Sequence, residues 1–473
     1  MKAKVAVVPL GHAVYFPQFP GLEEELRRKA AAFLSLFDDS TEVFEAAYVD
    51  TVDRAFACVR ELKAKDADAV VLLLTTYLPS ALTMPFAVEL QVPLLLAGIQ
   101  PLDHLDYEKC TTYLQLANDD ICAMPEIAGA IGRLGREIPP CVVHAASETD
   151  AIRRELRAWQ RAVAAKAAFK YAVIGYLGHT YEGMYDMHTD PTAFSRTFHA
   201  HVKMLEMCEL AARAEAVTQE AVARKVRIIR DTFSIQEPSL DPLTDWVRDE
   251  DLEWAAKMAC ALDDLVESNG LSALAYYYKG ENGSEYERIA ASLIVGNTLL
   301  TSAGIPLAGE ADLKTAAAML IMNRLGGGGS FAELHPFDIT DNCVLIGHDG
   351  PHNTAIADEK PVLRKLKKYP GKSGRGVSVE FSLKAGPVTL LSIGCTENGR
   401  FRFVAARGTS IKGRIPQTGN TNTRVRFDMP VTEFIAKWCR SGPTHHLALG
   451  TGDHIESIRH LAAMLDVDLT VVE

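Results

Sequence analysis

The chain has 473 residues, enough for about three domains of ~150 residues each. Its formal net charge of -12 argues against a nucleic acid or an anionic membrane surface as partner, and no apolar run approaches the ~20 residues needed to span a bilayer. Nine cysteines, scattered without a CxxC pair, suit a reducing cytoplasm and argue against both a disulfide framework and a zinc finger.

The opening MKAKVAVVPLG is too short in its apolar part for a signal peptide and reads as a first buried strand over Lys4 to Pro9. A helix over Leu22 to Phe37, a helix over Val52 to Lys65, and apolar strands at Ala69 to Leu74 and Pro93 to Ala97 follow. Alternation of this kind predicts an open parallel α/β sheet, whose ligands bind beyond the carboxyl ends of the strands. A charged helix from Glu148 to Lys170 leads to a strand at Tyr171 to Tyr176, which marks a first boundary. A second alternating block has helices around Phe194 to Ala214, Leu252 to Asn269 and Tyr286 to Ala303. A strand is predicted at Ala273 to Tyr278, and a helix over Glu310 to Leu325 ends at the glycine run Gly326 to Gly329.

The texture then changes to strand-like runs, at Asn342 to Gly347, Gly376 to Leu383, Val388 to Ser392, Arg400 to Arg407 and Thr423 to Phe427. These predict an antiparallel sheet or barrel. Helices at Thr432 to Arg440 and Ile455 to Leu465 and a strand at Asp468 to Val472 close the chain.

GGGGS at Gly326 to Ser330 lacks the ending of a phosphate-binding loop, and neither GxSxG nor HExxH occurs. Carboxylates and histidines remain. Glu310 follows Pro306 and Gly309 at a helix start, and taken alone it reads better as a first-turn carboxylate that complements the helix dipole. Glu333 sits among apolar residues, where a carboxylate is costly unless paired or metal-bound, although a solvated loop would also hold it. His348 follows a strand and could be structural. Of the adjacent His445 and His446, at most one reaches a shared centre, because neighbouring side chains diverge. Two carboxylates with two imidazoles suit an octahedral site for Mn2+, Mg2+ or Co2+. Arg402, Arg407, Lys412, Arg414, Arg424 and Arg426 could meet a substrate anion, but read better as a solvated face.

The segments GEADLKTAAAML, SFAELHPFD, VLIGHDGPHN and TEFIAKWCRSGPTHHLAL resemble, in this order, the L-arabinose isomerase family. GHAVYFPQFPGL is similar to a YWPQF-type opening of a subset of such sequences, with Phe16 in place of Trp. The resemblance implies two doubly wound α/β domains, 1–170 (flavodoxin-like) and 171–330, followed by an antiparallel β-rich, barrel-like domain over 331–473. It implies a metal centre of Glu310, Glu333, His348 and His446, with Mn2+ first and Co2+ or Mg2+ as alternatives, and no organic cofactor. Substrate contacts then fall on Tyr15 and Gln18, and on His179, Met184 and Asp186 in the loop YLGHTYEGMYDMHTD. A homo-oligomer, commonly a hexamer, with sites at subunit contacts is implied as well.

The chain departs from L-arabinose isomerases in lacking a histidine within NDDICAMPEIAG, where Pro125 and Glu126 stand, and in its middle loop. Both changes imply a best substrate other than L-arabinose. The expected activity is aldose–ketose isomerisation through a cis-enediol, with Glu310 as leading base and Glu333 as its partner. Rival readings are a metal-dependent lyase or epimerase of a modified sugar and a non-catalytic sugar-binding protein.

Overall fold

A computed structural model describes residues 2–370 and 374–473. The chain divides into two compact units, Met1–Ala167 and Ala168–Glu473.

The first unit is built on five parallel strands: β1 (Lys4–Leu10), β2 (Glu42–Glu45), β3 (Ala69–Leu74), β4 (Leu94–Gln100) and β5 (Cys141–Ala145). Their order is β2-β1-β3-β4-β5, the doubly wound order of flavodoxin-type sheets. β3 reads AVVLLL because both its faces are covered, so every residue is buried. Val8, Leu72, Leu96 and Ile127 belong to the core that results.

The second unit carries a four-stranded parallel sheet of Val173–Leu177, His201–Leu205, Ala273–Tyr276 and Leu307–Ala308. Helices Asp249–Asn269 and Ile294–Ser302 pack into its core through Leu262, Leu265 and Leu300. Beyond it lies a mixed, β-rich sheet of seven strands. Six of them run antiparallel: Ser330–Asp338, Cys343–His348, Gly386–Cys395, Phe401–Ile411, Thr421–Arg426 and Leu447–Thr451. Asp468–Val472 joins Phe401–Ile411 in parallel. Strand Gly386–Cys395 pairs on one side with Leu447–Thr451 and on the other with Phe401–Ile411, so the ladder returns to its starting strand. The boundary expected between 330 and 331 falls at the first of these strands, inside the second unit.

Three sequence expectations are corrected. The helix predicted over Phe194 to Ala214 is helix Pro191–Phe198, edge strand His201–Leu205 and helix Met207–Ala216. His199 at φ 58° ends the first helix, and the short strand is hidden among good helix formers. The helix predicted over Tyr286 to Ala303 is two, Glu285–Ala290 and Ile294–Ser302. The helix predicted from Glu310 starts at Leu313, capped by Asp312, because Glu310 and Ala311 hold left-handed backbone at φ 55° and 53°. Gly326, Gly328 and Gly329 also take positive φ and turn the chain from that helix into strand Ser330–Asp338. A β-carbon on Gly329 would stand 2.8 Å from the Met319 carbonyl oxygen. Glu333 is therefore a strand residue rather than a loop residue.

Candidate metal centre

Backbone register brings the carboxylates and imidazoles together. Glu310 sits in the single turn Gly309–Ala311, immediately after strand Leu307–Ala308 at the carboxyl edge of the parallel sheet. Glu333 pairs with Gly347, so it lies beside His348 at the end of the neighbouring strand. Ala332 pairs with Leu447, which places His445 and His446 at the other neighbour's start. Glu310 is buried, and its left-handed backbone is of the strained kind that clusters at functional sites. Its carbonyl accepts the Tyr181 N–H at 3.0 Å.

One potential ligand atom from each of Glu310, His348 and His446 lies within 4.8 Å of the others, and all three residues are buried. Glu333, His445 and His446 form a second such group at the same spacing. His446 Nε2 stands 3.8 Å from Glu310 Oε2, and His348 Nε2 stands 3.9 Å from Glu333 Oε1. Phe331 lies against both buried imidazoles, with ring centroids at 4.6 Å from His348 and 4.4 Å from His446.

The fit of this set to a cation is visible at His446. The side chain is fully buried, and Nδ1 lies 3.1 Å from Asp312 Oδ2. Asp312 is acceptor-only when ionised, so Nδ1 carries the proton and the Nε2 lone pair faces the cluster. Nε2 has no hydrogen-bond partner among the described residues. A buried acceptor left unmatched is costly, and a cation on Nε2 would remove the cost.

Acidic and basic groups of this cluster act on one another's ionisation. Burial by itself would raise the Asp312 carboxyl, but the His446 hydrogen bond, the Lys314 charge and the Thr315 N–H hold it at about 2. Burial opposes ionisation of Glu333 too, yet His335 and His445 keep it well below the carboxylate range. Burial would lower His348, but Asp349, Glu310 and Glu333 raise it to about 9. His348 Nδ1 is 3.2 Å from Asp349 Oδ1, close for an ion pair but without hydrogen-bond alignment.

Two groups beside Glu333 were legible only in part. His335 Nε2 lies 3.0 Å from Glu333 Oε1, and His445 Nε2 lies 2.6 Å from Oε2. The Glu333–His335 spacing puts both on one strand face, a signal the sequence does contain. Asp312, two residues after Glu310, was legible as a helix N-cap through its position before LKTAAAML, but its hold on His446 was not.

Of the expected substrate contacts, Asp186 reaches this site: its Oδ2 accepts the His445 N–H at 2.6 Å. His179 instead packs on Tyr277, with ring centroids at 4.0 Å, and its Nδ1 lies 2.9 Å from the Thr180 carbonyl oxygen. Met184 is half-buried in the same loop, its N–H bonded to the Tyr181 carbonyl. Tyr15 and Gln18 belong to the first unit, just beyond the carboxyl end of β1. Tyr15 packs edge-on against His12, and the Gln18 amide donates to the Val14 carbonyl at 2.9 Å. Several basic residues of the C-terminal segment are engaged: Arg424 with Asp341, Arg407 with Asp453, Lys412 with Asp358, and Arg402 with the Gly442 carbonyl.

The profile of the L-arabinose isomerase C-terminal domain matches residues 328–468, which include Glu333, His348 and His446. Sulfoquinovose isomerase of Alkalicoccus urumqiensis is 25% identical over 307 residues, 63% of this chain and 65% of that protein. Sulfoquinovose isomerase of Priestia aryabhattai is 26% identical over 173 residues, 36% of this chain and 38% of its own length. L-Arabinose isomerase of Escherichia coli O7:K1 is 27% identical over 186 residues, 37% and 36% of the two lengths. The similarity thus covers less than two thirds of each of these relatives. The chain is similar to the L-arabinose isomerase C-terminal domain over residues 328–468 and, at 25–27% identity over parts of its length, to proteins named sulfoquinovose isomerase and L-arabinose isomerase.

Proposed function

We propose that this protein is a metal-dependent aldose–ketose isomerase acting on a sugar through a cis-enediol. The observation that carries the reading is His446, buried and oriented by Asp312, with Nε2 turned toward Glu310 and unmatched among the described residues. Glu310, Glu333, His348 and His446 are the proposed ligands. Mn2+ is the first choice, because a mixed carboxylate and imidazole set without thiolate suits it, and Co2+ or Mg2+ are alternatives. Such an ion would supply Lewis acidity toward a bound sugar. The similar proteins named for L-arabinose and for sulfoquinovose support a sugar substrate.

In this reading Glu310 removes the C2 proton of the open-chain aldose, and O1 gains a proton, which gives the enediol. The O2 proton then leaves, and C1 receives a proton to complete the ketose. Glu310 is the better base because Glu333 already accepts from two imidazoles. Glu333, with His335 and His445 behind it, serves the proton exchange at the substrate oxygens. A cytoplasmic homo-oligomer, by resemblance a hexamer, with Tyr15 and Gln18 contributing to sugar binding, belongs to the same proposal. Light scattering that shows a fully active monomer would refute that part.

The test is ketose formation from a panel of aldoses after exhaustive chelation and after Mn2+ or Co2+ addition. Loss and recovery are expected. Full activity in a demonstrably metal-free preparation would overturn the reading.

A further inference from the structure

A cavity that is open at its mouth lies against Glu310 and His348. Tyr276, Tyr278 and Tyr369 line it, together with Lys279 and Glu287. Lys279 follows Tyr276 by three residues, at most about 10 Å along an extended chain, so both fit within the span of one small molecule. Among the described lining residues, Lys279 is the one lysine or arginine.

Nearby charges leave that cation available. No described carboxylate stands within 4.0 Å of its ammonium. Glu287, which shares the cavity, turns Oε2 back to accept the Gly283 N–H at 2.8 Å. Lys314, a further described lysine close to the cluster, is fully buried and donates to the Met187 carbonyl at 2.8 Å and to Thr189 Oγ1 at 3.1 Å. Lys279 is a partly buried residue of this tyrosine-lined cavity, and a lysine ammonium donates charge-assisted hydrogen bonds to an oxyanion.

We propose that Lys279 anchors an anionic group (sulfonate, phosphate or carboxylate) on the far end of the sugar from the carbons that meet Glu310. The proposal rests on the isomerase reading for the sugar's orientation. A neutral terminal hydroxyl would use only one weak bond there, whereas an oxyanion gains a charge-assisted one, typically about 10- to 100-fold in affinity.

The experiment uses the full-length, Mn2+-loaded protein and its Lys279→Met and Lys279→Arg variants, with folding checked by circular dichroism. Substrates are aldohexoses that differ only at C6, bearing hydroxyl, carboxylate, phosphate or sulfonate, with L-arabinose as a neutral comparator. One anionic sugar should be preferred over its hydroxyl counterpart, and which one identifies the source. Lys279→Met should raise its KM about 10- to 100-fold with little change for neutral sugars, and Lys279→Arg should keep the preference. An unchanged preference in Lys279→Met, or efficient turnover of neutral sugars only, overturns the proposal and leaves the isomerase reading standing. Binding of the corresponding C6-anionic alditols, which cannot isomerise, is titrated in parallel. Salt-sensitive alditol binding that Lys279→Met abolishes, with no ketose formed from any sugar, would sustain the anion site and sink the isomerase reading.

Discussion

Asp312 Oδ2 and His446 Nδ1 lie 3.1 Å apart, and both side chains are fully buried. The same carboxylate caps the helix Leu313–Arg324 through the Lys314 and Thr315 N–H groups, both at 3.1 Å. One residue thus starts a helix and sets the tautomer of a proposed ligand.

These two roles separate by substitution. Asparagine caps helices as well as aspartate does, so Asp312→Asn should keep most of the stability. It should still weaken Mn2+ binding about 10- to 100-fold, the usual loss when a partner behind a metal-bound histidine is changed. Asp312→Ala should lose the cap as well, worth about 1 kcal/mol, and melt earlier. Mn2+ titration followed by electron paramagnetic resonance reads the first effect, and thermal unfolding reads the second. Equal Mn2+ affinity in wild type and Asp312→Asn would show that Asp312 only caps.

Glu310 and His446 should fail differently. Glu310→Gln keeps the size of the side chain and one oxygen while removing its basicity, so turnover should fall about 10²- to 10⁴-fold. Excess metal should not restore it. His446→Gln attacks the ligand set, and excess Mn2+ should recover part of its activity. The double variant should lose less than the product of the single losses, since the two act as a unit. Near-normal exchange of the C2 hydrogen with deuterated water in a fully metal-loaded Glu310→Gln protein would move the base role to Glu333.

Alkaline pH should weaken the first unit. Burial, with Glu61 adding to it, pushes the Cys58 thiol from 9.0 up to about 12. Burial likewise pushes Tyr48 from 10.0 up to about 12, against the hydrogen bond it shares with Thr75. Both groups stay neutral in the fold while the unfolded chain ionises above pH 9 or 10. Their contribution is therefore complete below those values and disappears as pH rises toward 12. Denaturant midpoints measured from pH 8 to 11 should fall, and Cys58→Ala should fall less steeply. A flat profile in the wild type would contradict the burial argument.

The β3 strand and the closing strand Asp468–Val472 were readable to the residue, because an unbroken apolar run or a clear alternation needs only local chemistry. The motif order around Glu310, Glu333, His348 and His446 was likewise enough to bring these four residues together as candidates. Strand Ser330–Asp338 was missed because a glycine run precedes it and a proline lies within it, both of which read locally as loop.

What needed the tertiary structure was which atoms face which. The left-handed turn at Glu310 joins strand Leu307–Ala308 to the capped helix, and no local preference of a glutamate announces it. His445 and His446 are neighbours in sequence. Only the pairing of Ala332 with Leu447 sends one to Glu333 and the other to Asp312 and Glu310, 134 residues away from Asp312 along the chain. Residue types and spacing are local properties of the chain, so the sequence determined the chemistry on offer. Register between distant strands is a property of the folded whole, so the structure decided which imidazole nitrogen is left open.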